Sequence, residues 1–415
     1  MLNRALMIVM IAVLTGTLRA DDWPQWRGKQ RDGISAEKGL IKQWPEGGPK
    51  VAWEVESVGI GYSSLAIADG VIYTQGDLDG VEHVIALNAK DGSVKWKTAP
   101  NAGAKGYRNG QGDGPRGTPV LDGDRVYTEG GKGDVMCLDA KTGRIIWQLS
   151  LTKDFDGRVP GWGYSESPLV LDNRLIITPG GKDGTVAAVN KMTGKLVWRS
   201  ANIDESAHYC SPQVAIIGGV RQIIQSARKN VFGLDADTGK LLWTWSRANN
   251  GTANVAMPIV TGDYVYASSA YGTGGGLIHV TRRGGDWNVD QVHFGKDMAN
   301  HHGGIVKVGD YLYGFGKRGL ICLNMMTGEM PWRDKSVVKG SLIAVDGMLY
   351  CLGERYEMAL VEATPEGYRE HGRFRIDDLG KPSWAHPVVA NGRLYIRNQQ
   401  RLTAYEVSPG VAAAE

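Results

Sequence analysis

The sequence predicts an all-β fold, an eight-bladed β-propeller, and three observations carry that prediction. Glycine accounts for 58 of 415 residues, which disfavours a helical bundle because glycine weakens helix interiors. Six tryptophans recur at intervals of 44 to 51 residues, the length of a four-stranded blade. Five of them end a shared pattern, Ala-(Leu/Val)-(Asp/Asn)-x-x-Thr-Gly-x-x-x-Trp, in Ala86–Trp96, Cys137–Trp147, Ala188–Trp198, Gly233–Trp243 and Cys322–Trp332.

Each unit between these tryptophans is predicted to be an antiparallel meander. In segments such as Arg125–Tyr127 and Tyr311–Tyr313 the side-chain pattern repeats every two residues, as in a β-strand, and Gly, Asp and Asn turns bound these segments. Alignment on the hairpin that follows gives eight unit openings, near Ser64, Thr118, Ser167, Ser211, Met257, Gly304, Ser341 and His386. The sequence therefore predicts eight blades.

The ring is predicted to close through an N-terminal strand. The last unit stops after Ala404–Val407 without a tryptophan-bearing fourth strand, whereas Lys50–Val55 is such a strand without a blade. Pairing the two removes the sheet edges that an open ring would expose. The predicted propeller covers residues 50–408, with 21–49 packing on it and a tail at 409–415.

The N-terminus has the pattern of a secretory signal. Arg4 precedes an apolar run from Ala5 to Leu14, and Ala20 is a small residue at the expected cleavage point. We therefore expect residues 1–20 to be removed and the mature protein to be periplasmic or secreted, without a transmembrane segment. Lys and Arg together number 47 against 44 Asp and Glu, so no basic surface for nucleic acid is expected.

The tryptophan pattern resembles the docking motif of pyrroloquinoline quinone (PQQ) repeat propellers. The resemblance covers almost the whole mature chain, and three further segments look like an exported bacterial branch of that family: Trp23–Gly28, Gly161–Ser167 and Asn300–Gly304. In the family the repeated tryptophan packs between adjacent blades. The resemblance thus implies that Trp96, Trp147, Trp198, Trp243, Trp287 and Trp332 belong to the scaffold.

The same resemblance implies two kinds of function. PQQ-dependent alcohol dehydrogenases of this fold are longer, hold Ca²⁺ with Glu, Asn and Asp, and carry an adjacent cysteine pair beneath the cofactor. Here the cysteines are isolated, at Cys137, Cys210, Cys322 and Cys351. They are expected to be buried free thiols, with a Cys322–Cys351 disulfide as the alternative. Whether PQQ binds together with calcium is left open by the sequence. The second kind resembles the propeller lipoprotein of outer-membrane β-barrel assembly, although no cysteine near the cleavage point offers a lipid anchor.

A ligand site is predicted at the mouth of the central channel, where each innermost strand begins, because every blade contributes a loop there. Glu166 and His302 are the candidate catalytic residues. Such polar and aromatic groups suit a sugar, a polyol, or a quinone-like or carboxylate-bearing molecule. The candidate ligand-binding residues are Tyr62, Arg116, Tyr164, His208, Asn254, His301, Lys339, Trp384 and His386.

Several of these residues have alternative roles. Arg116 could hold an anion or tie down its loop through backbone carbonyls, and Glu166 could be a general base or a buried partner of Arg116. His301 and His302 are adjacent, so in an extended strand at most one faces the channel, with His302 preferred. A metal site would need a narrow ring of histidines, and none is predicted.

Two function classes follow. The first is an exported propeller that binds a small polar molecule at the channel mouth, with oxidoreductase chemistry as one outcome. The alternative is a non-catalytic scaffold that binds protein partners through the loops of the same face. The Gly-rich insertion from Ala99 to Pro115 is either a flap over the mouth or a disordered loop.

Overall fold

The computed structural model describes residues 22–100, 105–110 and 112–409, so the predicted signal segment lies outside the described residues. Within these ranges the chain forms eight antiparallel blades of four strands, which confirms the predicted fold. The first four blades consist of Ala66–Ala68, Val71–Leu78, Val81–Asn88 and Val94–Thr98; Val120–Asp122, Arg125–Glu129, Asp134–Asp139 and Ile145–Ser150; Leu169–Leu171, Arg174–Ile177, Ala187–Asn190 and Leu196–Arg199; and Gln213–Ile217, Val220–Ser226, Val231–Asp235 and Leu241–Trp245.

Blades 5 to 8 follow the same order, from the channel outward. Their strands are Ile259–Thr261, Tyr264–Ser269, Gly274–Arg283 and Asp286–Gly295; Ile305–Val308, Tyr311–Gly316, Gly319–Asn324 and Trp332–Asp334; Gly340–Val345, Met348–Gly353, Glu357–Glu362 and Glu370–Arg375; and Val388–Ala390, Arg393–Asn398 and Arg401–Glu406, completed by Val51–Val55. The pairing of Val51–Val55 with Arg401–Glu406 is antiparallel, so the N-terminal strand closes the ring as predicted.

Hydroxyl groups at the predicted unit openings join consecutive inner strands. The N–H of Ser64 donates to Thr118 Oγ1 at 3.2 Å, and the N–H of Thr118 donates to Ser167 Oγ at 2.9 Å. Ser167 N–H in turn donates to Ser211 Oγ at 2.9 Å. These bonds satisfy buried backbone donors and fix the order of blades 1 to 4 around the channel.

Three of the six repeat tryptophans bind the next blade through the indole N–H, whereas Trp243 donates to Gln222 of its own blade and Trp198 Nε1 has no partner among the described residues. Trp96 donates to the carbonyl of Ala140 at 3.0 Å, and Trp147 donates to that of Lys191 at 3.0 Å. The same bond joins Trp332 to Thr364 and, across the ring closure, Trp53 to Ala89. The glycine of the repeat leaves room for the indole ring of the preceding blade. A Cβ on Gly143, for example, would lie 2.6 Å from the Trp96 ring.

Trp287 differs from the pattern that its spacing predicts. It lies near the turn of the long hairpin of blade 5, opposite Arg282, and contacts Gly218 of the preceding blade. His293 occupies the docking position instead, with Nε2 2.8 Å from the carbonyl of Met325. The ten-residue strands of this hairpin displace the tryptophan from the register of the other blades.

Residues 23–35, here called the N-terminal plug, span the central channel. Trp23 exchanges two backbone hydrogen bonds with Ile67 of blade 1, and the carbonyl of Pro24 accepts from Leu121 N–H of blade 2. At the other end, Ile34–Ser35 pairs in parallel with the inner strand of blade 7. The plug therefore ties together inner strands that lie on different sides of the ring.

All four cysteines are buried and free, as the sequence predicted. Cys137 and Cys322 each lie in the third strand of a blade and pair with the docking tryptophans Trp147 and Trp332. Along the described ranges of the chain, no helix has the length and apolar character needed to cross a membrane.

Candidate ligand-binding site

A cavity of about 730 Å³ opens on the face where the inner strands begin. Its walls come from the loops that precede those strands in several blades, and Trp26 of the N-terminal plug also lines it. Trp26 packs against His386, with ring centroids 4.5 Å apart. The cavity thus lies at the predicted end of the channel, and the plug contributes a wall that the repeat pattern does not reveal.

The structure brings seven of the predicted site residues into the lining and leaves four outside it. The lining contains Tyr62, Arg116, His301, His302, Lys339, Trp384 and His386. Tyr164, Glu166, His208 and Asn254 lie behind the wall, where Ser165 and Tyr209 face the cavity instead. Alternation explains this result for Tyr164, Ser165 and Glu166, because neighbours of a residue that faces the channel point away from it. At Tyr209 the backbone turns instead, with a φ of 78°.

The residues behind the wall hold the loops together. Tyr164 is fully buried and donates from its hydroxyl to the carbonyl of Pro179 at 2.9 Å. His208 Nδ1 lies 3.0 Å from Asn254 Nδ2, whose N–H groups also donate to backbone carbonyls. These contacts support the loops rather than a ligand.

Glu166, the predicted general base, turns its carboxylate away from the cavity. Its two oxygens accept from the backbone N–H groups of Tyr209 at 2.7 Å and Ser165 at 3.0 Å. Burial raises its pKa in spite of these bonds. The carboxylate makes no ion pair with Arg116, whose nitrogens bind the carbonyls of Trp162 and Gly112.

One wall of the cavity is aromatic and cationic. The Arg116 guanidinium lies 4.7 Å from the centre of the Tyr62 ring and 5.8 Å from that of Trp384. These two rings are 4.9 Å apart and tilted by 34°. Since Arg116 also donates to the carbonyls of Trp162 and Gly112 at 2.8 Å, it both fixes the insertion loop and faces the cavity.

The histidines line the cavity next to this wall, since the His302 ring lies 5.7 Å from that of Trp384. His301 Nε2 lies 2.7 Å from the Tyr271 hydroxyl, and its Nδ1 lies 2.9 Å from His302 Nδ1. Both rings line the cavity because the backbone bends here instead of running extended, so the expectation that at most one faces the channel is wrong. Burial lowers the pKa of His301 to about 4 and that of His386 to about 3, and it also lowers the pKa of His302. These imidazoles are therefore neutral at pH 7.

Glu354 and Glu357 are cavity carboxylates outside the predicted set of site residues, and Glu354 is the one bound to predicted residues. In Glu354, Oε2 accepts from Lys339 Nζ at 3.0 Å and from Trp384 Nε1 at 3.0 Å. Glu354 follows the second strand of blade 7, Met348–Gly353, and so lies outside the loops that precede the inner strands.

Residues 105–110 and 112–115 of the insertion make hydrogen bonds to loops near the mouth of the channel. Tyr107 N–H donates to Glu82 Oε1 at 2.8 Å, and the Tyr107 hydroxyl donates to the carbonyl of Gly161. Lys381, from the loop between blades 7 and 8, donates to the carbonyl of Gly110 at 3.3 Å. These bonds hold the insertion to neighbouring loops of the ring, and none of its described residues lines the cavity.

The cavity does not fit the calcium that accompanies PQQ in the resembled dehydrogenases. Calcium takes six to eight oxygen ligands, several from carboxylates. Glu354 is engaged by Lys339 and Trp384, and Glu357 is paired with Arg375 at 2.9 Å. Over the residues that the structure describes, no group of three or more His, Cys, Asp or Glu side chains is placed to hold a metal ion.

Replacing His208 with asparagine is expected to weaken the dependence of stability on pH. Burial lowers the pKa of His208 from 6.5 to about 4, and the nearby Arg228 adds to the effect. Between these values the unfolded chain binds a proton that the folded protein does not, so stability present at pH 7 is lost as the pH falls. Melting temperatures at pH 7.5 and 4.5 should drop less in the variant than in the wild type. Equal drops would contradict a neutral, buried His208.

Comparison with known proteins places the chain among PQQ-repeat propellers. The family model described as "Outer membrane protein assembly factor BamB" matches residues 98–334. The chain is 26% identical over 344 residues to the quinohemoprotein alcohol dehydrogenase ADH IIB of Pseudomonas putida, covering 78% of this chain and 42% of that protein. It is 23% identical over 241 residues to BamB of Yersinia pestis, covering 58% and 56%. The chain thus spans less than half of the dehydrogenase.

Solved structures agree on the fold. BamB from Moraxella catarrhalis superimposes with a TM-score of 0.58 at 18% identity, covering 83% of this chain and 94% of that chain. The quinohemoprotein alcohol dehydrogenase ADHIIG of Pseudomonas putida HK5 gives a TM-score of 0.64 at 13% identity, covering 93% and 80%. At these identities the likeness concerns the fold alone.

Proposed function

This chain belongs to the PQQ-repeat family described as outer membrane protein assembly factor BamB, and we propose that it is an exported member that binds a small molecule in the mouth cavity. The ligand class is a ring-shaped molecule that carries a carboxylate, such as a sugar acid or a quinone acid. Arg116, whose guanidinium lies beside the Tyr62 and Trp384 rings at the cavity wall, is the observation that carries this proposal.

The cavity has the size and chemistry for such a ligand. Its volume of about 730 Å³ falls within the range of small-molecule sites. Tyr62 and Trp384 offer ring faces for stacking, and a guanidinium binds a carboxylate through two parallel hydrogen bonds. The lining holds four basic side chains, Arg116, Lys317, Lys339 and Arg355, against the two carboxylates of Glu354 and Glu357. With neutral histidines this balance favours an anion.

The roles proposed for single residues follow from their place in the lining. Tyr62, Arg116, Lys339 and Trp384 are the proposed ligand contacts. His302 keeps the proposed part of a base, because its imidazole lines the cavity and is neutral, so that it can accept a proton. Dehydrogenation through calcium-bound PQQ is not part of the proposal, since the cavity lacks the oxygen donors for that ion.

Titration with matched ligands tests the proposal. We expect galacturonate and PQQ, which are anionic, to quench tryptophan fluorescence saturably and to raise the melting temperature, whereas neutral galactose does neither. Lys339→Gln, in the lining, should weaken binding of the anions by about tenfold, a loss of about 1.4 kcal/mol. Lys90→Gln, on an exposed turn, is the matched control and should bind like the wild type.

Two results would contradict the proposal: no binding of either anion, or equal binding by wild type and Lys339→Gln. The first would favour the scaffold alternative. That alternative has its own support in the family match and in exposed apolar side chains on outer strands, such as Leu196 and Val197. If the protein is a scaffold, Lys339→Gln should leave its affinity for a protein partner unchanged.

A further inference from the structure

Two arginines of the N-terminal plug are buried in the channel without an acidic partner. Arg27 is 3% exposed and Arg31 is 4% exposed. Within the described ranges, neither guanidinium comes within ion-pair distance of a carboxylate. Buried charges are ordinarily paired or bound to an ion, because their transfer from water is costly. The pair therefore needs an explanation that the fold alone does not give.

Part of each guanidinium binds backbone carbonyls of the plug and of the ring, and Arg31 Nη1 also donates to Gln25 Oε1 of the plug at 3.1 Å. Arg27 Nη2 donates to the carbonyls of Asp32 and of Ile305, in blade 6. Arg31 Nη1 and Nη2 donate to the carbonyls of Pro168 at 3.0 Å and Ser167 at 2.9 Å, at the start of blade 3. The two side chains thus reach from the plug to opposite parts of the ring.

The remaining nitrogens have no partner. Arg27 Nε and Nη1 and Arg31 Nε are buried without a hydrogen bond. Arg397, which is 1% exposed and also lacks a carboxylate partner, shows that this fold can satisfy a buried guanidinium completely. Its Nε, Nη1 and Nη2 all donate to oxygens, among them the carbonyls of Gln399, Ser63 and Gly59. The contrast indicates that something else binds at Arg27 and Arg31.

The groups around the pair offset its two positive charges only in part, because the Asp32 carboxylate acts on Arg27 from beyond ion-pair distance. Cys210 lies close to both arginines, but burial raises its pKa to about 12, so the thiol is neutral and donates weakly to the carbonyl of Ser211. The Glu166 carboxylate accepts backbone N–H groups, and Asp32 Oδ1 accepts the N–H of Ile34. His386 donates from Nε2 to the carbonyl of His302, which leaves Nδ1 as an acceptor.

We propose that a small monovalent anion of the halide type binds between Arg27 and Arg31 in the channel, beneath the ligand cavity. The free N–H groups would bind it, and its charge would offset the two guanidiniums. A small ion is favoured over phosphate because the backbone crowds Arg27, where a Cβ added at Gly33 would lie 2.7 Å from Nη2. The anion joins the plug to blades 3 and 6.

Bromide tests the site in the wild-type protein. Crystals grown in sodium bromide should give an anomalous peak within about 3.5 Å of Arg27 Nη1 and Arg31 Nε, the range of a hydrogen bond to an anion. Density there without anomalous signal would identify water and overturn the proposal. Bromide peaks confined to the protein surface would overturn it as well. Neither outcome depends on ligand binding at the mouth cavity.

A stability series gives an independent test. At equal ionic strength, sodium chloride or bromide should raise the melting temperature by about 2–5 °C over sodium gluconate, whose anion is too large for the channel. Arg31→Gln should lose this difference. Arg397→Gln also removes a buried guanidinium but should keep it, which separates loss of the site from general destabilisation. Equal wild-type melting temperatures in chloride, bromide and gluconate would contradict the proposal.

Discussion

Replacing Trp332 with alanine is expected to lower the free energy of unfolding by about 3–5 kcal/mol, the usual cost of removing a buried tryptophan. Trp332 is 9% exposed and lies 6.0 Å, between ring centroids, from Tyr313 of its own blade and from Tyr368 of the next. Its indole N–H donates to the carbonyl of Thr364 at 2.7 Å. The substitution opens a cavity between blades 6 and 7 and leaves that carbonyl without its donor. Equilibrium denaturation in urea measures the loss.

Two variants separate the parts of this effect. Trp332→Phe keeps an aromatic ring and removes the N–H, so it should cost less than the alanine variant by about 1–3 kcal/mol. Trp287→Ala is the matched control for position in the repeat. Because Trp287 is partly exposed near a hairpin turn, its loss should be about 1 kcal/mol, close to the average for substitutions. Wild-type stability in Trp332→Ala would contradict the assigned blade interface.

The sequence predicts the blades because each repeat encodes one complete unit. The alternating strands, the turn glycine and the docking tryptophan all lie within about fifty residues, so their spacing reports the register directly. The ring closure follows from the same logic, since Lys50–Val55 is a fourth strand without its other three. Blade 5 is the exception: its longer hairpin moves Trp287 out of position, and His293 docks in its place.

The candidate site is harder to predict from the sequence than the fold, because it depends on the direction in which each loop side chain points. Placing residues before the inner strands identifies the right face, but alternation sends Tyr164 and Glu166 behind the wall. Trp26 reaches the cavity from the N-terminal plug, across the ring rather than along it. Such long-range contacts leave no period in the sequence. Glu354 was missed for a simpler reason, its position after a second strand.

Replacing Glu129 with glutamine is expected to stabilise the protein. Glu129 is 1% exposed, and neither carboxylate oxygen has a hydrogen-bond partner. Burial raises its pKa well above the ordinary value, and the nearby Glu166 raises it further. Because an unpartnered buried polar group costs about 1–3 kcal/mol, the neutral and isosteric amide should remove much of that cost.

The repeat itself shows what an amide does at this place. Gln75 holds the corresponding position in blade 1, in Tyr73–Gln75 as against Tyr127–Glu129. Its amide donates to the carbonyls of Gly117 at 2.7 Å and of Glu129 at 3.0 Å, both in the next blade. In blade 3 the corresponding carbonyls are those of Glu166 and Thr178. We expect the amide introduced at position 129 to donate to them and to join blade 2 to blade 3.

The gain should depend on pH in a defined direction. The unfolded chain loses the Glu129 proton near pH 4.5, whereas the folded protein keeps it to higher pH. In the wild type this contribution to stability is therefore lost as the pH rises above 4.5. Glu129→Gln should exceed the wild type by about 1–3 kcal/mol at pH 8 and by little at pH 4. Glu82→Gln is the control and should destabilise the protein, because the Glu82 carboxylate accepts the N–H groups of Tyr107 and Gly131. A destabilised Glu129→Gln at pH 8 would show that the carboxylate has a partner, such as a bound cation, inside the ring.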